Sequence, residues 1–519
     1  IQVKVQADDD NALDTLDGGA SVRWMTNSAP TFGAIGPSHV DPRSGEILAA
    51  NIGIESLSSR NLRAARSQIL NAGATDWNRM MQLGIDENAS AEMLARARDP
   101  RWCEAAEIGA EQLGYALDVF AARGELDPAG PEAEAFVLAY LKDVTMHEVG
   151  HTLGLRHNFR ASRVYSDEQL SDPSFTQTNA LSGSVMEYAP INMSAPGARQ
   201  VAPFQTTLGP YDYWAIEYAY KPIPAAQEKA TLASIAARSS DPQLAFGTDD
   251  DNFLGIDPES LIFDLGNDEL AFARKRFAIA RDLFKRQESR ELSPDQDYSV
   301  LRRSLNYAIN DIARSTGVLA RQIGGVRTLR DHPGSGREPL QPVAAQTQRD
   351  ALDVISRGLF AADSFAVTPS LQRRLAPDFQ ERGEAIQFGA TSVTTEYSPT
   401  QRVLAMQRTL LAHLMGDGVA ARILDNQGAA GVRAGEAFQL SELYGRLDRD
   451  IWSELRTGGD IPATRRELQR EHVNRINAML LRPQSAGRAD ARGLVRAQAT
   501  DLLSRIKVAS GRPGLSADA

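Results

Sequence analysis

A single cysteine, Cys103, stands in 519 residues, which excludes any internal disulfide framework. It reads as a small buried residue on a helix; a thiolate that latches a metal is the sharper idea, but no latch-like peptide surrounds it. Long apolar runs are missing too, and none approaches the ~18 residues of a membrane span. So is any excess of basic residues: the net charge is −11, whereas a general nucleic-acid surface needs a basic face to meet phosphates. No internal repeat stands out. The chain opens on Ile1 rather than Met and shows no signal peptide, which reads as a trimmed or mature piece of a longer precursor. What remains is an ordinary globular composition, 42% hydrophobic and 24% charged, in a chain long enough for two or more domains.

Against that background one string stands out. His147-Glu148-Val149-Gly150-His151-Thr152-Leu153-Gly154-Leu155-Arg156-His157 reads H-E-x-x-H-x-x-G-x-x-H. On a helix His147 and His151 project from one face about one turn apart, so they can share one metal ion. Glu148 can reach a water at that metal without being a ligand. Gly154, lacking Cβ, can end the helix with positive φ and turn the chain, returning His157 as a third ligand. Three neutral imidazoles with one open position suit a catalytic zinc rather than a structural one. The bland alternative is an amphipathic helix with surface histidines. A bare H-E-x-x-H would leave that open; the glycine and third histidine leave it little room.

About thirty residues later comes Ser184-Val185-Met186-Glu187-Tyr188. The pair of elements resembles the metzincin metallopeptidases, whose long zinc signature is followed by a Met-turn. The resemblance implies that Met186 forms an apolar floor beneath the metal. It also matches Tyr188 to a tyrosine that ligates zinc or turns toward the scissile carbonyl in some members. Residues 190–195 would then form a wall of the pocket for the side chain after the scissile bond, with Pro190, Ile191 and Asn192 leading it. Three further stretches resemble large bacterial zinc-dependent metallopeptidases of metzincin type, a family with extra N-terminal domains. They are Gly36 to Ile47, Thr207 to Ile216, and Phe263 to Asp268. Asn158 departs from the better-known subfamilies, so their substrate preferences do not transfer.

Elsewhere the patterns are plainer. Ile1 to Val5 and Ser21 to Met25 alternate as strands do. Gly33 to Ile54 reads as a hairpin turning at Asp41-Pro42-Arg43-Ser44-Gly45. If its returning strand is the sheet edge above the cleft, Ile47, Leu48, Ala49, Ala50 and Asn51 would bind an extended peptide by strand addition. Residues 57–126 read as helices broken near Asp99-Pro100. The active helix starts at Pro131, with Glu132 and Glu134 at the positive end of its dipole and Phe136, Tyr140 and Val144 as a buried stripe. Helical spacing recurs in Leu270, Ala273, Phe277, Ala280 and Phe284, in Tyr298, Leu301, Leu305 and Ile312, and in Val403, Met406, Leu410 and Leu414 behind a Ser398-Pro399 cap. Asp249-Asp250-Asp251, with Asp257 and Glu259, could hold Ca2+. It fails the EF-hand spacing at Phe253, and a solvated charge run is the preferred reading. His39, His332, His413 and His472 lack metal-ligand spacing.

The expected fold is α+β. A metzincin-like catalytic domain spans residues 1–220, with a mixed twisted sheet and active helix in an upper part (1–156) and a small lower part (157–220). A mainly α-helical C-terminal region (221–510) and a flexible tail (511–519) follow. Since Ile1 falls near the second strand of such a domain, a separate N-terminal fragment of the same precursor is expected to complete it. The expected function is zinc-dependent endopeptidase, with one Zn2+ and Glu148 as general base and acid on the attacking water. By resemblance, its setting is periplasmic or secreted. The rivals are a catalytically silent or latent zinc-binding scaffold for peptides or protein partners, and a zinc enzyme whose third ligand is a downstream glutamate.

Overall fold

The computed structural model describes residues 3–7, 20–27, 33–56, 81, 105–127, 130–253, 255–294, 296–361, 364–379, 395–427, 436–481, 488–512 and 515–516. Cys103 lies outside them, as does most of 57–104. Four strands make the sheet beside the site: β1 Ala20–Met25, β2 Ala34–Ile35, β3 Ser38–Val40 and β4 Ile47–Glu55. β1 runs parallel to β4 from Ala20↔Ala50 to Met25↔Glu55, while β2 and β3 lie antiparallel to β4. The expected turn forms: Gly45 takes φ 78°, and its N–H donates to Asp41 O at 2.8 Å.

Two strand expectations change. Val3 to Ala7 has no regular structure, and Val3 and Val5 are almost fully exposed. β4 is an interior strand rather than the edge. The hairpin folds β2 and β3 onto its cleft-facing side, so Asn51 N–H donates to Pro37 O (3.2 Å) and Glu55 N–H to Gly33 O (2.7 Å). The backbone of Ile47, Leu48, Ala49, Ala50 and Asn51 is therefore unavailable to a peptide from that side; the rim there is Ala34–Val40.

Helix α1 (Ala105–Arg123) packs on α2 (Pro131–Thr152), the helix that carries His147 and His151. Pro131 occupies the first turn with Glu132 and Glu134, matching the N-terminal signal in the sequence. Tyr140 and Val144 are buried, and Phe136 is half-buried with its ring 5.5 Å from that of Phe120. After short turns come α3 (Pro210–Tyr220) and the one-turn α4 (Asp249–Phe253). The pair α5 (Glu269–Arg286) and α6 (Ser299–Gln322) then forms the centre of the helical region. α6 is buried on nearly every side, as a helix inside a large core is. Within it Asp311 accepts from Arg276 and Tyr115, and Arg314 donates to Glu111. Tyr298, assigned to this helix by spacing, precedes it as N-cap and is exposed. Ser398 caps the helix Pro399–Leu414 as expected, accepting from Gln401 N–H.

One continuous apolar core runs from Ala34, Tyr115, Tyr140 and Val144 through Phe277 and Leu305 to Leu502. A boundary at residue 220 cuts through this packing. Residues 255–265 fold back on the lower part, where Phe263 joins Phe159 and Tyr188, and Leu261 and Leu265 join Leu170 and Leu181. The lower part is too small to bury those side chains alone. Among the described residues no helix is long and apolar enough to cross a membrane.

Candidate metal centre

α2 carries His147 and His151 one turn apart, and its end is set by Gly154 at φ 84°, where a side chain would be strained. The chain turns there, and His157 swings back beside the other two. The three ligating nitrogens lie within 4.8 Å of one another. Each ring has its Nδ1 against an oxygen: Val185 O at 2.7 Å for His147, Leu155 O at 3.0 Å for His151, and an Asp249 carboxylate oxygen at 2.8 Å for His157. A carbonyl or carboxylate only accepts, so a ring in its neutral form would carry its proton on Nδ1 at each of these positions and leave a lone pair on Nε2.

That assignment leaves an electrostatic conflict that a cation resolves. His151 Nε2 and His157 Nε2 are 3.1 Å apart, so with both rings in that form two lone pairs face each other. Two ligands at ~2.0–2.1 Å from a tetrahedral zinc fall about that far apart. Burial, then the charges of His151 and His157, hold His147 well below the ordinary histidine range. Burial, then His157, brings His151 down to about 4. Both rings are thus neutral donors at neutral pH, and the set fits zinc.

The Met-turn lies directly beneath. Met186 is fully buried, and a Cβ on Gly150 would fall 2.1 Å from its Sδ, so the second x of the H-E-x-x-H string must be this small. Val185 offers the carbonyl that orients His147, and Met186 O accepts from Asn158 N–H at 2.9 Å. Asp212, at the start of α3, holds the turn from the other side through Ser184 Oγ (2.6 Å) and Val185 N–H (3.0 Å). The Tyr188 hydroxyl lies 3.0 Å from His157 Nε2, and its ring packs against His157 and Phe159. Behind it, burial pushes the carboxyl of Glu187 well up, with the Asp264 charge adding to the rise; burial likewise raises Asp264.

Beside His151 and His157 opens a cleft of about 220 Å³, lined on one side by Ile35, Gly36, Pro37 and Ser38 and on the other by Glu148, His151, His157 and Asp249. Glu148 is fully buried. A Cβ on Gly36 would stand 2.9 Å from Glu148 Oε2 and 2.7 Å from its backbone oxygen, so the rim touches this residue only because position 36 is glycine. The residues expected to form a pocket wall sit differently. Pro190, Ile191 and Asn192 are buried, with Ile191 in the main core and Asn192 bonded to Pro203 O and Leu170 O. Their side chains serve packing; the small cavity of about 30 Å³ next to Tyr188 is lined instead by Tyr140, Asp143, Ala189 and Phe204.

A family model described as Met-zincin matches residues 129–459, from just before α2 to past the helix Leu440–Ile451. The chain belongs to the Met-zincin family. No curated protein and no solved structure matches it. Membership and the three-imidazole donor set agree on zinc as the metal this site suits.

In this Met-zincin the roles of Gly36, Gly150, Asp212 and Asp249 at the site were not read from the sequence. Gly36 and Asp212 lay inside stretches singled out only by resemblance, and nothing in their local pattern marks a contact with Glu148 or the Met-turn. Asp249 stood in the acidic run weighed for calcium. Each acid of that run has a protein partner: Asp249 has His157, Asp250 has Arg156 at 3.2 Å, and Asp251 has Arg330 at 2.6 Å. Of the other histidines, His39 and His332 are exposed, and His472 Nδ1 accepts from the Trp452 indole at 3.0 Å. Burial lowers His472 to about 4 and His413 to about 3.

Proposed function

We propose that this Met-zincin is a zinc-dependent endopeptidase, in keeping with the periplasmic or extracellular setting that its resemblance suggests. The observation that carries the reading is the register of Glu148, which follows His147 in the three-histidine cluster and lines an open cleft together with His151 and His157. His147, His151 and His157 would hold the ion. Zinc, when bound, supplies Lewis acidity at this point of the cleft. Glu148 takes the proton from the attacking water and returns it to the leaving amine. Its burial and the close approach of Gly36 keep that carboxylate in one place. Tyr188, with its hydroxyl already beside His157 Nε2, donates a hydrogen bond to the oxyanion as it develops.

The rim supports an extended substrate. Gly33 O and Pro37 O are used by β4, while Gly36 between them lines the cleft, where its main chain would meet an extended peptide. A main-chain grip of that kind suits internal segments of a polypeptide rather than its termini. Glu148→Ala is expected to keep its zinc, measured by elemental analysis, while turnover of fluorescent casein falls ~10²–10⁴-fold. Turnover near the wild-type rate would remove Glu148 from the chemistry. A variant that loses its metal would instead make Glu148 part of the binding site.

A further inference from the structure

Of the three ligands, His157 has the least support from its own element. His147 and His151 sit inside α2 and orient against neutral carbonyls, whereas His157 follows the helix on a turn. Its Nδ1 meets the one carboxylate among the three partners, Asp249 Oδ1 at 2.8 Å, from a residue 92 positions later in the chain. The other carboxylate oxygen accepts from Thr248 Oγ1 at 3.1 Å, which sets the rotation of the group. The adjoining residue explains how so distant a segment is held. Asn158 is fully buried, and its side-chain amide donates to Ala245 O (3.0 Å) while its oxygen accepts from Gly247 N–H (3.2 Å). Phe159 N–H adds a bond to Gly247 O at 2.7 Å.

We propose that Asp249 is a positioning residue for the metal centre, fixing the direction in which His157 presents its lone pair, and that Asn158 is the clamp that delivers it. This rests on the zinc reading above. The carboxylate does two things a carbonyl does not. Its negative charge makes the imidazole a stronger donor, and its two oxygens lock the ring from a second point in the fold. The three-acid run is thereby divided, with Asp249 turned inward to the ligand while Asp250 and Asp251 pair with Arg156 and Arg330 at the rim.

The test uses the full chain, with zinc affinity read by competition against a chromophoric chelator and ligand geometry read from the visible bands of the cobalt-substituted protein. Asp249→Ala is expected to weaken zinc ~10–100-fold and to shift the cobalt bands. Asp249→Asn, whose amide oxygen still accepts from Nδ1–H, is expected to lose less, and Asn158→Ala to weaken zinc in the same direction. Should Asp249→Ala fail to fold in a thermal melt, Asp249→Asn decides alone. Wild-type affinity and unchanged cobalt bands in the Asp249 variants that fold would overturn the proposal. A wild-type chain that takes up no zinc would instead overturn the metal reading on which it rests.

Discussion

Burial does opposite things to the two kinds of titratable group on α2. It keeps His147 and His151 neutral, and so ready to donate to a metal, and it pushes the carboxyl of Asp143, one turn before His147, up to about 7 against the pull of the Gln205 N–H. Unfolded, that carboxyl titrates near 3.8, so between there and about 7 the folded chain holds a proton that the unfolded chain has released. The difference favours folding at low pH and is lost as pH rises through about 7. Asp143→Asn removes it. The variant is expected to melt a few degrees above wild type at pH 8 and to gain less at pH 5; a larger gain at pH 5 would contradict the assignment. Other residues at the site were legible from chemistry alone. The spacing of His147, His151 and His157 and the need for positive φ at Gly154 required no tertiary knowledge. Gly150 and Gly36 did, because each is small on account of an atom from elsewhere in the fold, the Met186 sulfur and Glu148.

Among the elements, those with local signals read clearly. Pro131 and the two following glutamates marked the start of α2, Ser398-Pro399 marked a later helix, and Asp41 to Gly45 marked the hairpin turn. The side from which a strand is paired left no local signal. Apolar residues in Ile47–Glu55 showed that β4 is buried but not that β2 and β3 lie between it and the cleft. The three stretches noted by resemblance have a shared physical reason. Gly36 touches Glu148, and Asp212 ties down the Met-turn. Phe263, at φ 59° the one non-glycine residue with positive φ among those described, donates its N–H to Tyr188 O at 2.7 Å. A left-handed non-glycine costs energy that the surrounding packing must offset, and such positions gather at functional sites. Each stretch is weak as a pattern because its partner lies far away in sequence.

On the scale of the whole molecule, the helical region packs into one unit with the elements that carry the three histidines. Arg276 on α5 joins Asp311 on α6 to the carbonyl of Ile191 at 3.0 Å, and Asp249 and Phe263 reach the metal centre from beyond residue 220. A chain ending at residue 220 is therefore expected to lack a stable fold, showing weak near-ultraviolet circular dichroism and no stoichiometric zinc. A folded, zinc-loaded fragment would restore that boundary. The continuous core is why composition and periodicity could not divide the chain: helix spacing reports a buried face but not which domain buries it.

All of this depends on a single ion between three rings. Diffraction from metal-replete crystals on either side of the zinc absorption edge tests it most directly. The account predicts one strong anomalous peak within bonding distance of Nε2 of His147, His151 and His157. No peak there, or a peak held by other side chains, would contradict it.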